Sequence, residues 1–363
     1  MVRIFFLVFA AALSVVLPAT AQTGVPAPVE GTYTVRDFVF ASGERLPELK
    51  LHYRTIGTIR RDGAGRVTNA VLVMHGTGGS GRGFLSPTFG GALFGPGQLL
   101  DAAKYFVILP DGIGHGDSSK PSDGLHARFP RYGYTDIVHG QHRLITEHLK
   151  VDHLRLVMGT SMGGMQTWMW ATMYPDMMDA LMPLASVPTE IAGRNRMMRK
   201  MVSDSIRLDP AWKNGEYTEP PFGLRGALHI LLWMTSSPLY WQSLAPTRAD
   251  ADRWLDDQVT ARLKATDAND MLYQFESSAD YDPSRDLETI TARLVAINSA
   301  DDQVNPPELG LMEKLMPRVP RGRYVLLPIT PATRGHGTHS LPAIWGAYLA
   351  ELLKETEAAG TRR

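Results

Sequence analysis

Apolar residues recur along the chain in short unalternated runs: 70–74 (AVLVM), 105–109 (YFVIL), 154–158 (LRLVM), 180–185, 294–298 (LVAIN) and 324–327. Runs of this length without polar alternation are the pattern of strands buried on both faces. Segments of helical length and spacing lie between them, at 97–103, 135–149, 162–174, 307–316 and 341–353. Strand and helix units in alternation predict a mostly parallel, doubly wound sheet of the α/β class. Ahead of them, 33–40 and 50–56 are rich in β-branched and aromatic residues and flank the turn Ala41-Ser42-Gly43, which predicts an antiparallel pair.

One interval breaks the alternation. Between 187 and 290 there is no strand run, and helical patterns at 195–206, 223–234 and 248–264 are punctuated by Pro and Gly. This reads as a helical lid inserted between late strands of a core made of 22–186 and 291–363. The aromatics Trp212, Trp233, Tyr240, Trp241 and Trp254 fit either a pocket wall or the lid's own core. No internal repeat or low-complexity tract is present, and the polar tail 354–363 reads as frayed.

The start of the chain has a different character. Arg3 precedes an unbroken small-or-apolar run at 4–17, followed by Pro18 and Ala19-Thr20-Ala21. This is the layout of a secretory signal, 1–21, with cleavage before Gln22. It predicts a periplasmic or secreted chain with no membrane span after cleavage.

Composition narrows the chemistry. The 363 residues are 44% hydrophobic and 20% charged, which excludes disorder as the main state. Lys and Arg number 37 and Asp and Glu number 37, so there is no general electrostatic case for binding nucleic acid. With no cysteine, disulfides, thiolate metal sites and a cysteine nucleophile are excluded. His139 and His142 share a helical face, but no acidic partner converges on them, so no metal is expected. Gly76, Gly78 and Gly81 spell a dinucleotide-type G-x-G-x-x-G. Asp101, however, does not follow a second strand as that fingerprint requires, so no cofactor is expected.

The sharpest motif is Gly159-Thr160-Ser161-Met162-Gly163, a G-x-S-x-G with a strand run before it and a helical run after it. A serine on such a strand–turn–helix elbow is exposed above a sheet, with helix N–H groups aimed at it. It needs a base and an orienting acid, in the chain order Ser, Asp, His. After the strand run 294–298 come Asp301 and Asp302, of which one reads as a solvated turn residue. After 324–327 come His336 and His339, flanked by glycine. Both pairs stay open on these grounds. The oxyanion hole takes one N–H from Met162 and one from Thr77, in the glycine-rich loop His75-Gly76-Thr77-Gly78-Gly79 after the run 70–74. His75 reads as a structural hydrogen bonder.

The chain resembles the homoserine O-acetyltransferase branch of the α/β-hydrolases over roughly residues 33–355. The resemblance is carried by Tyr53-Arg54-Thr55-Ile56-Gly57, by 69–79, and by the elbow Ser161-Met162-Gly163-Gly164-Met165-Gln166. Asp209-Pro210 with Trp212, Gly215 and Tyr217, and the pair Gly335-His336, add to it. It implies Ser161 as nucleophile, Asp302 as orienting acid and His336 as base. Three places depart from the family pattern. Ser203 stands where those acetyltransferases carry an arginine for the substrate carboxylate, and 75–79 and 117–121 differ in sequence. Changed substrate positions and an export signal lead to the expectation of an exported serine hydrolase acting on a small acyl substrate. The alternative is an acyltransferase using acetyl-CoA. The assembly, monomer or homodimer, is left open.

Overall fold

The computed structural model describes residues 25–360. The signal segment 1–21 lies outside the described residues. Eight strands form one sheet: β1 (Val29–Val39), β2 (Arg45–Ile56), β3 (Ala70–Met74), β4 (Phe106–Pro110), β5 (Leu156–Thr160), β6 (Ala180–Leu184), β7 (Arg293–Ser299) and β8 (Gly322–Leu327). Their order is β1-β2-β4-β3-β5-β6-β7-β8. β1 pairs antiparallel with β2, and β2 antiparallel with β4, while every pairing from β4 to β8 is parallel. The short apolar runs of the sequence thus become the parallel strands, shifted by no more than two residues at either end.

Two hydrophobic cores, one on each face, explain why those runs do not alternate. Along β3, Ala70, Leu72 and Met74 join one core with Trp168 and Trp170. Val71 and Val73 join the other with Phe94 and Trp345. Successive side chains of a strand point to opposite faces, so a sheet covered twice needs an apolar residue at every position. The covering helices are α1 (Gly90–Leu93), α2 (Tyr134–Arg143), α3 (Met162–Met173), α9 (Leu311–Leu315) and α10 (Pro342–Gly360). Between β6 and β7 stand the lid helices α4 (Gly193–Arg207), α5 (Phe222–Met234), α6 (Pro238–Leu244), α7 (Arg248–Leu263) and α8 (Ala268–Glu276). The lid has a core of its own, in which Trp212 packs with Met198, Val202, Leu228 and Phe275.

Three local expectations fail. Residues 97–103 form turns because the Asp101 carboxylate accepts from the Gly97 and Ala103 N–H groups, an alternative to helical bonding. The pattern at 307–316 is split by Gly310, which has φ 62°. The tail is not frayed from 354, for α10 runs to Gly360 and the buried Thr356 accepts a hydrogen bond from Arg155.

Candidate active site

Ser161 occupies a single-residue turn between β5 and α3, with φ 55° and ψ −112°. A non-glycine residue held there costs about 1–3 kcal/mol, and the packing around it enforces it. A Cβ on Gly163 would lie 2.0 Å from the Met74 carbonyl oxygen, and one on Gly159 would lie 2.2 Å from the Gly163 carbonyl oxygen. Both glycines are therefore required by close approach of strand and helix.

Of the two open pairs, the structure brings Asp302 and His336 to the serine. His336 Nε2 is 2.7 Å from Ser161 Oγ, and its Nδ1 is 2.8 Å from Asp302 Oδ2. The second oxygen of Asp302 accepts from the N–H groups of Val304 at 2.8 Å and Asn305 at 3.2 Å. Burial alone would raise the Asp302 pKa. The His336 ring and the Asn305 and Val304 donors outweigh it and hold the carboxyl below its ordinary value.

Asp301 is not the solvated turn residue expected of one member of its pair. Asp301 is buried and accepts from Ser299 Oγ at 2.5 Å, Ser237 Oγ at 3.0 Å and the Gly335 N–H at 3.0 Å. It ties the histidine loop to the lid. The ring of His339 stands edge-on to His336, 5.3 Å between centroids. Burial, with His336 beside it, pushes its pKa down to about 3.

The loop after β3 lies against Ser161, since a Cβ on Gly76 would be 3.3 Å from Ser161 Cβ. The Gly79 N–H donates to the Gly76 carbonyl, closing a turn in which Gly78 has φ 73°. Among the described residues the Thr77 N–H has no acceptor. The Met162 N–H opens α3, where no intrahelical acceptor exists. Both are free to receive an oxyanion. His75 holds the turn from beneath, its Nδ1 donating to the Gly76 carbonyl at 2.8 Å and its Nε2 accepting from the Gly112 N–H at 3.0 Å. Burial lowers its pKa, so the ring is neutral.

Sequence reasoning missed the support under this loop. Arg54, fully buried, pairs with Asp111 at 3.0 Å and reaches Glu30 and Asp117. Asp111 in turn accepts from the N–H groups of Gly81 at 2.7 Å and Asp117 at 2.9 Å, which anchors the ends of both loops over the sheet. The sequence held little signal for it, since Arg54 shares its strand with Arg45, Glu48, Lys50 and His52 and only its burial sets it apart. His52, Asp111 and Asp117 have donor atoms near one another, but the guanidinium of Arg54 already meets their charge. His142 stacks on Tyr174 at 4.0 Å.

The lid closes over these loops. Gln274 of α8 donates to the Gly114 carbonyl at 2.8 Å, and Asp270 accepts from Ser122. No arginine stands at 203, but Arg199, one turn earlier on α4, is buried with Ser203 on the same helix face. A cavity of about 810 Å³ in the lid is lined by Trp233, Trp241 and Trp254 with His229, and it reaches Gln303, next to Asp302 in the chain. Three of the five lid aromatics thus wall a cavity.

The model of the alpha/beta hydrolase fold family matches residues 69–319. A probable acyltransferase of Methanothermobacter thermautotrophicus is 30% identical over 79% of this chain and 87% of its own length. The homoserine O-acetyltransferase of Haemophilus influenzae is 31% identical over 73% of this chain and 81% of its own. Among solved structures, an acetylester hydrolase from Corynebacterium glutamicum superposes with a TM-score of 0.78 at 22% identity, over 90% of this chain and 96% of that one. That last likeness shows the fold alone.

Proposed function

This chain belongs to the alpha/beta hydrolase fold family, in the branch that holds the homoserine O-acetyltransferases, and from that premise we propose that it transfers an acyl group through a covalent intermediate on Ser161. The observation that carries the reading is the 2.7 Å contact between Ser161 Oγ and His336 Nε2 beneath a helical lid. His336 takes the hydroxyl proton as Oγ attacks the carbonyl carbon, and the N–H groups of Thr77 and Met162 receive the oxyanion. As the tetrahedral adduct collapses, His336 gives the proton to the leaving group. Asp302 holds the imidazole in the Nδ1–H tautomer and stabilises its charged form. A second nucleophile, deprotonated by the same histidine, then releases the acyl group.

The second nucleophile divides two readings. The homoserine O-acetyltransferase relative at 31% identity supports a small hydroxyl compound of the homoserine kind as acceptor, with acetyl-CoA the donor that the family resemblance implies. Water as acceptor, which makes the protein an ester hydrolase, is favoured by Ser203 at the family's arginine place and by the leader 1–21. That leader, read as a secretory signal, would carry the enzyme away from acetyl-CoA. Among the described residues no helix is long and apolar enough to cross a membrane.

Acetylating the enzyme with p-nitrophenyl acetate and then adding L-homoserine separates the readings. Transfer is expected to give O-acetylhomoserine and to speed release of the acyl group. Release of acetate alone, at a rate that homoserine does not change, would replace transfer with hydrolysis. Absence of any acetyl-enzyme by intact mass would overturn both.

A further inference from the structure

Trp233 is 72% exposed although Leu232 and Met234 on either side of it are buried. Trp241 of α6 and Trp254 of α7 continue a row from it, with ring centres 6.4 Å and then 4.8 Å apart. The lid's own core, built on Trp212, does not include them. α6 buries none of its seven residues, and α7 buries only Val259. Large apolar side chains gathered on a concave wall and left uncovered mark a place where a ligand supplies the missing contacts.

The cavity they wall, about 810 Å³, falls within the span of about 300–1,000 Å³ typical of small-molecule sites. Met234 and Leu255 add to its apolar surface, and Ala245 and Ala251 are small enough to keep it open. Its charged groups do not make an anion site. Arg194 Nη2 is engaged by the Gln303 carbonyl at 2.6 Å and by Gln303 Oε1 at 2.9 Å, and Asp252 brings a negative charge to the lining. Nor is the wall a slot for a flat ring. Trp233 and Trp241 are inclined at 78°, and Trp241 and Trp254 at 55°, so no two faces run parallel. Faces and edges in turn are a surface that an unbranched alkyl chain can follow.

One side of the cavity is also the clamp on the histidine loop. Ser236 and Ser237 line it and pack on Gly335, where a Cβ would lie 2.7 Å from the Ser236 carbonyl oxygen. Ser237 Oγ donates to Asp301, which also accepts from the Gly335 N–H. Gln303, on the same cavity, follows Asp302 in the chain. The cavity thus lies against both loops that bring His336 and Asp302 together.

We propose that this cavity binds an unbranched alkyl chain carried by the acyl group of the substrate, so that the preferred acyl donor is a medium-chain ester rather than an acetate. The inference deepens the acyl-enzyme reading and rests on it, and it holds for either second nucleophile. Each methylene that passes from water onto the tryptophan wall adds its transfer free energy, and the gain stops when the cavity is full.

The test is a chain-length series. p-Nitrophenyl acetate, butyrate and octanoate are compared on wild type, on the filling variants Ala251→Phe and Ala245→Leu, and on Trp241→Ala. Neither alanine is buried, so the larger side chains take up cavity rather than core. On wild type kcat/KM is expected to rise about two- to fourfold per methylene. The filling variants should cut the octanoate-to-acetate ratio about tenfold or more, and Trp241→Ala about three- to tenfold. Should one filling variant fail to fold, the other and Trp241→Ala decide. A ratio near unity on wild type overturns the proposal. So does a rise with chain length that the filling variants leave intact, since the chain then lies elsewhere.

Binding is measured apart from chemistry by titrating 1-octanol, which has no acyl bond to break, into Ser161→Ala in a calorimeter. Heat of binding that disappears when Ala251→Phe is added supports the site, and absence of binding overturns it. A dimer in sedimentation whose formation excludes 1-octanol would show that a second copy covers the tryptophans, and overturns it as well. If no acyl-enzyme forms on any ester, the functional reading fails instead, and the 1-octanol titration judges the cavity alone.

Discussion

Ser161 Oγ and His336 Nε2 stand 2.7 Å apart although 175 positions separate them in the chain. Neither residue is held by the other. The elbow fixes the serine through crowding at Gly159 and Gly163, and Asp301 and Asp302 fix the histidine loop. Ser161→Ala should therefore keep its melting temperature and lose about 10⁴-fold or more in kcat. It should also lose the covalent fluorophosphonate adduct seen by intact mass. An adduct on the variant would place the nucleophile elsewhere.

The adjacent aspartates do different work. Asp302→Asn leaves the geometry but stabilises the wrong imidazole tautomer, and a fall of about 10⁴-fold in kcat is expected. Asp301→Asn weakens the tie between Gly335, Ser237 and Ser299. It should lower stability by about 1–3 kcal/mol and cost much less activity. Steady-state rates with urea titrations on both variants measure the contrast, and the reverse ranking would reassign the acid.

Gly163→Ala tests the elbow by volume alone. Its methyl would meet the Met74 carbonyl oxygen at 2.0 Å, where only backbone could move. A loss of about 3 kcal/mol or more is expected, with activity lost through displacement of Ser161. A variant as stable as wild type in urea would show that strand and helix separate easily.

The pair Arg54–Asp111 bears on the oxyanion loop from below. Asp111→Ala leaves a buried guanidinium short of its main partner, and about 3–5 kcal/mol of stability should be lost. The Gly81 and Asp117 N–H groups lose their acceptor together. Arg54→Met combined with Asp111→Leu should recover part of the stability, and failure to do so in thermal unfolding would mean that the amides matter more than the charge.

Stability should fall as the solution is acidified from about pH 6. Burial pushes His115 and His339 down to about 3. Each takes up a proton near pH 6.5 only when unfolded, so between those values the unfolded state binds more protons and stability drops with pH. His75 and His142, lowered chiefly by burial, add in the same sense. Asp270, raised to about 6 by burial, opposes them between about pH 6 and 4, where the folded state holds the extra proton. The net is uptake of at least about one proton on unfolding near pH 5, or about 1.4 kcal/mol per pH unit. Urea midpoints at pH 5.5 and 4.5 measure it, and a midpoint that rises on acidification contradicts it.

The strands and the elbow could be read along the chain because their causes are local. A parallel strand needs an apolar residue at each of five or so consecutive positions, and a nucleophile turn needs small residues beside the serine, so β3, β5 and Ser161 can be found without knowing what surrounds them. Hydrogen bonding by a side chain to its own neighbours is less visible, which is why 97–103 looked helical until Asp101 took the turn amides. What the chain order could not decide was the choice within Asp301/Asp302 and His336/His339. Each pair has one composition and nearly one position, and the role of each member is set by which way its side chain points into a site assembled from distant segments. The carboxylate of Asp302 meets His336, while that of Asp301, one residue away, turns to Ser237 of the lid. The same holds for Arg54, whose meaning comes from which carboxylates lie beside it once β1, β2 and the loop after β4 are folded together. Burial gives those contacts their energy, and burial is a property of the whole fold.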